Sequence, residues 1–207
     1  SPIARVMAGA ILVALTAIRL PGATLVFQDG TNSYAGTADT SLMQSQPTTT
    51  QGTRTVAEWD SDDPAGTAQV NVGLIRFDSI FGTGPNLIAP TDQITSATLT
   101  YDVVNTGGAG NMYEAAISWS ESTTTWNNFG GTAGVQTSDY GSTLIASPAG
   151  GLGTQSVNVV RSIAAWAINP SANRGWVILP TGTDGVEFRS REDATVSLRP
   201  KLTVVVN

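Results

Sequence analysis

An all-β sandwich of jelly-roll type, with one short helix and an extended apolar N-terminal segment, is the fold this sequence predicts. Three observations predict it. The 207 residues include 22 glycines, abundant Thr, Ser and Asn, and only 13% charged side chains, a composition that suits strands and turns. Short runs alternate apolar with polar residues, which is the period of a half-buried strand. Turn clusters such as Asn105-Thr106-Gly107-Gly108 and Pro148-Ala149-Gly150-Gly151 separate those runs at sandwich spacing.

Residues 1–23 stand apart from a single β-sandwich domain at residues 24–207. Arg5 and Arg19 bracket an uncharged run from Val6 to Ile18. Three readings are open. A basic residue, an apolar core and Leu20-Pro21-Gly22-Ala23 form the outline of a secretory signal segment. As a helix the run reaches only ~20 Å against the ~30 Å of a bilayer core, so membrane anchoring is not expected. As a strand it reaches ~43 Å, enough to run the length of a sandwich. In strand form Ile3, Met7, Ile11, Val13 and Leu15 share one face, and mostly small residues (Ala4, Ala8, Ala10, Ala14) share the other. That pattern suits insertion into a groove of a neighbouring copy, and donation is the favoured reading.

From residue 24 onward the signals are β. Residues 24–30 read as a strand running into a turn, and 70–78, 94–104 and 115–119 as further strands. Residues 155–159 are a strand followed by a helix at 161–167, where Ile163, Trp166 and Ala167 have helical spacing. Strands at 175–179, 185–188 and 201–206 close the set. No internal repeat and no linker divides the domain.

Several short motifs recur in one order: Phe27-Gln28-Asp29-Gly30, Thr37-Ala38-Asp39-Thr40, Leu74-Ile75-Arg76-Phe77-Asp78, Ser96-Ala97-Thr98-Leu99, Trp119-Ser120-Glu121 with Thr125-Trp126-Asn127-Asn128, Phe188-Arg189-Ser190-Arg191-Glu192, and Arg199-Pro200-Lys201-Leu202. Together they resemble DNRLRE-type domains over roughly residues 24–206. The resemblance implies an extracellular jelly roll without catalytic activity. It also implies either a carbohydrate-binding module for acidic polysaccharides such as alginate or a unit of a large surface protein.

Composition limits the chemistry. Ten basic and sixteen acidic side chains give a formal charge of −6 and a pI near 4.4, so nucleic acid is not an expected partner. Without Cys there are no thiolate metal sites or cysteine nucleophiles, and without His the commonest general base and metal ligand are missing. Charged residues are half as frequent as the ~25% usual in soluble domains, which fits a secreted, extracellular or cell-surface protein. Glu58, Glu114 and Glu121 are available for acid–base work, but no spacing singles out a pair. Lys201 is the sole lysine and precedes the last strand. No enzymatic activity is expected.

Two local features could bind ligands. Asp60-Ser61-Asp62-Asp63 places three carboxylates in four residues, and Asp60, Asp62 and Asp63 could supply oxygen ligands to Ca²⁺; the alternative is a solvated acidic loop. Arg189 and Arg191 share a face if that stretch is extended, and could grip uronate carboxylates with Trp126 stacking on a sugar ring. Against this, both arginines could pair with Glu187, Glu192 and Asp193, and the tryptophans could fill the core, most clearly Trp166 and Trp176. Two functions follow. The first is a filament or surface-matrix subunit that self-assembles into a homopolymer by giving residues 1–23 to its neighbour. The second is a binding module for an acidic polysaccharide.

Overall fold

The computed structural model describes residues 22–207. The candidate assembly residues Ile3, Met7, Ile11, Val13 and Leu15 lie outside the described residues. Among the described residues are ten strands and one α-helix: β1 (Ala23–Phe27), β2 (Thr37–Met43), β3 (Val56–Trp59), β4 (Asn71–Phe77), β5 (Ile94–Asn105), β6 (Gly110–Glu114), β7 (Gly153–Asn158), α1 (Val160–Ile168), β8 (Trp176–Pro180), β9 (Val186–Arg189) and β10 (Lys201–Val206).

The strands form two antiparallel sheets. The first runs β1-β10-β5-β9-β3, with β7 also paired to β5; the second runs β2-β4-β8-β6. From β1 to β9 each successive strand lies in the opposite sheet, so the chain winds around the sandwich as a jelly roll does. The expected all-β sandwich with one short helix is what the chain forms.

Strand periodicity explains the interior. In β5 the residues Ala97, Leu99, Tyr101 and Val103 are buried while their neighbours are not, and in β10 Leu202, Val204 and Val206 repeat the pattern. They meet Ile75, Phe77, Met112, Trp176 and Ile178 from the second sheet in one core. Helix α1 packs its Ile163 and Trp166 onto that core. The Trp166 and Trp176 rings lie 4.9 Å apart, and the Trp176 indole N–H donates to Ser162 Oγ at 3.0 Å. No helix among the described residues is long and apolar enough to cross a membrane.

The second sheet is apolar on both faces. Its outer side presents Ala38, Leu42, Val72, Leu74 and Val177, which pack with Ala115, Trp119 and Phe129 in a second cluster. This cover corrects one expectation. Residues 115–119 are not a strand: β6 ends at Glu114, and Ala115 keeps a single bridge to Tyr140. Their apolar side chains signalled burial, but the burial is over a sheet face rather than within a ladder. Trp119 is held there by its indole N–H on the Arg174 carbonyl (2.8 Å) and by the Arg76 guanidinium 4.6 Å from its ring. Strands β2, β3 and β6 were not among the expected strands. All seven residues of β2 are buried, yet its sequence, Thr-Ala-Asp-Thr-Ser-Leu-Met, has polar groups where alternation would place apolar ones.

Candidate functional site

Strand β2 ends the second sheet, so one of its edges lacks a neighbouring strand. Side chains close it instead. Asp29 Oδ1 accepts the Thr37 N–H at 2.8 Å and Glu121 Oε1 accepts the Asp39 N–H at 3.0 Å, while the Ser41 side chain of β2 ties to β3 by accepting the Glu58 N–H at 2.9 Å. A sheet edge occupied in this way is unavailable to another chain. Glu121 can come this close because the passing chain is a glycine: a Cβ on Gly52 would lie 2.5 Å from the Glu121 carbonyl oxygen.

The same carboxylates gather around Arg191. Its guanidinium pairs with Glu121 (2.6 and 2.9 Å) and donates to Asp29 at 3.3 Å, Glu192 Oε1 lies 2.9 Å from its Nε as an ion pair, and its main-chain N–H donates to Asp39 Oδ2 at 2.8 Å. Asp39, Glu121 and Glu192 each offer an oxygen, and these all lie within 4.8 Å of one another. Asp39 is only 1% exposed. Burial, and next the charge of Glu192, push its carboxyl well above the usual carboxylate range. Burial also raises Glu192, with Arg191 pulling the other way. Burial opposes the charge on Arg191, but hydrogen bonding to Glu121 and the surrounding carboxylates outweigh it and raise the guanidinium.

Arg189 belongs to a different cluster. Its Nε donates to Asp102 on β5 at 3.0 Å and its Nη1 to Asp193 at 2.6 Å. The expected shared face for Arg189 and Arg191 is not formed, because β9 ends at Arg189 and the chain turns at Ser190. Ser190 Oγ donates to the Arg54 carbonyl and accepts the Glu192 N–H, which fixes that turn. The two-residue period therefore stops between the two arginines. Trp126 is half-buried against the outer cluster of the second sheet, and its carbonyl accepts the Gly134 N–H at 2.8 Å.

The carboxylates of the 60–63 loop are turned to separate donors. Asp60 Oδ1 accepts the Asp62 N–H (2.8 Å), Asp62 accepts the Gly66 and Ala68 N–H groups (2.7 and 2.6 Å), and Asp63 Oδ2 accepts the Asn71 amide (2.7 Å). Those two N–H groups hold the Asp62 carboxyl below its ordinary value. The loop thus uses Asp60, Asp62 and Asp63 to shape a turn, and the converging trio of acids among the described residues is Asp39, Glu121 and Glu192. No spacing reveals that trio, but the quoted motifs do contain it. Asp39, Glu121 and Glu192 come from three of them, and Asp29 from a fourth.

The remaining sheet edges differ from β2. The end of β3 is tied to β4 through paired Asp60–Asn71 main-chain bonds, and β6 is covered by residues 145–148. Edges of β1 and β7 remain, and among the described residues no hydrogen bond reaches the side of β1 away from β10. Beside β1 runs a groove of about 350 Å³ lined by Val26, Phe27, Tyr34 and Ala35 together with the polar Asn32, Ser33, Ser79 and Asn86. No protein-family model matches this sequence, and no curated protein matches it.

Proposed function

We propose that this protein is a non-catalytic, exported structural subunit that polymerises by donating residues 1–23 to the β1 edge of the next copy. One observation carries the reading: β1, the strand into which the apolar run leads, has no main-chain partner among the described residues on its side away from β10, and lies beside a groove of mixed apolar and polar lining. An incoming strand gains main-chain hydrogen bonds at such an edge and shelters its apolar face in the groove. β7 is the weaker acceptor, since its exposed side chains are Thr154, Ser156 and Asn158. A copy that gives its leader to the next and takes that of the one before makes a head-to-tail contact, which builds an open filament.

The alternative module for acidic polysaccharides ranks second, because a uronate would have to displace carboxylates from both Arg189 and Arg191. The test is electron microscopy of the full chain, of a variant lacking residues 1–19, and of Val26→Lys. Filaments are expected from the full chain only. Filaments that persist in both variants overturn the reading.

A further inference from the structure

Buried carboxylate oxygens in folded proteins are hydrogen-bonded, paired with a cation, or ligands to a metal. Two oxygens in the Arg191 cluster have no hydrogen-bond donor. They are Asp39 Oδ1 and Glu192 Oε2, both fully shielded from solvent. The N–H groups of Arg191 are directed elsewhere: its main-chain N–H to Asp39 Oδ2 and its guanidinium to Glu121 and Asp29, with Glu192 Oε1 2.9 Å from Nε as an ion pair. Arg199, close by, aims its N–H groups at the main-chain oxygens of Asp29 and Asp193. Four carboxylates around one guanidinium leave a formal charge of −3.

We propose that Asp39, Glu121 and Glu192 bind a calcium ion that pins the edge of the second sheet to the loop carrying Glu121 and to the turn after β9. The convergence of three carboxylates within 4.8 Å supplies the ligand set, and the two donorless oxygens are where it is incomplete without a cation. The donors are all hard oxygens, which selects against zinc and copper. Calcium accepts six to eight oxygens in irregular geometry, whereas magnesium demands a near-ideal octahedron. The three ligands come from segments more than 65 residues apart in sequence, so the ion acts as a cross-link of the folded state and binds the unfolded chain poorly. The site is independent of the filament reading, since it uses no residue of the leader or of β1.

The experiment is a calorimetric melt of the full chain at pH 7.5, in EGTA and in 10 mM CaCl₂. Extracellular calcium sites have dissociation constants of about 10⁻⁴–10⁻³ M. The 10 mM calcium is then a ten- to hundredfold excess, which raises Tm by about 3–10 °C. Asp39→Asn and Glu192→Gln are each expected to lose most of that rise while melting in EGTA at or above the wild type, because each removes one crowded negative charge. That second readout separates a lost ligand from a damaged fold. Isothermal titration of the wild type with CaCl₂ is expected to show one site. A wild-type Tm indifferent to CaCl₂ overturns the proposal. A calcium shift that survives in both variants overturns it as well, by placing the ion elsewhere.

Discussion

Asp39 is a carboxylate that folding makes harder to ionise. It is faced by Asp29 from the β1–β2 turn, by Glu121 from the loop over the second sheet, and by Arg191 and Glu192 from the turn after β9. Its folded value lies well above the ordinary one, while in the unfolded chain it returns to about 3.9. Between those two values the folded state holds a proton that the unfolded state has lost, so stability rises as pH falls through that window. Glu58 and Glu192, both raised chiefly by burial, act in the same direction. Asp193 acts in the opposite direction. Its burial is outweighed by hydrogen bonds from Thr195 and Arg189, so its contribution is present above the ordinary carboxylate value and fades as pH falls below it. With calcium chelated, the wild type is expected to melt higher at pH 5 than at pH 7, and Asp39→Asn to show a smaller gain. A wild-type Tm that drops steadily over that interval would refute the assignment.

At the scale of elements, the legible strands were those whose partners are apolar. β4, β5, β8, β9 and β10 alternate or run apolar because their neighbours form one core, and α1 shows its Ile163 and Trp166 at helical spacing. β2 gave no such signal. Its Thr37, Asp39 and Ser41 are buried at an edge where distant side chains meet the main chain, and local patterning carries no trace of that. Apolar alternation at residues 115–119 reported burial correctly and the element wrongly, since a stretch covering a sheet face needs the same side chains as a strand within one. The start of β8 shows another constraint that is visible only in three dimensions. Gly175 has φ +73°, its carbonyl accepts the Ala115 N–H at 2.9 Å, and a Cβ there would run into the Ile75 carbonyl of β4. Gly175→Ala combines a left-handed backbone with that collision. It is expected to cost more than about 1 kcal/mol, read as a lower urea midpoint at unchanged m-value. A midpoint equal to the wild type would show that the strand shifts without penalty.

For the whole molecule, the question is how a sandwich with a free edge relates to its own leader. Sheets commonly protect their edge strands, and here β2 is blocked by acids, β3 is tied across to β4 and β6 is covered by a loop. β1, beside its groove, and the more polar β7 are left. The donor-strand reading therefore predicts complementation in trans. A synthetic peptide of residues 1–19, added to the variant that lacks them, is expected to raise its Tm in a saturable way. Val26→Lys in the same background is expected to abolish the effect, because a charge at the groove repels an apolar strand. A peptide that leaves Tm unchanged counts against β1 as acceptor.

By itself the sequence determined the class of fold, the short helix, and the core faces of the alternating strands. All of these follow from side-chain period and composition, which are local properties. Only the tertiary structure decided which charges are spent and which are left over. It put Arg189 and Arg191 into separate clusters, turned Asp60, Asp62 and Asp63 into a turn, and drew Asp39, Glu121 and Glu192 together. The physical reason is that an ion pair or a ligand set depends on distances of a few ångströms between residues far apart in the chain, and those distances exist only once both sheets have closed on their core.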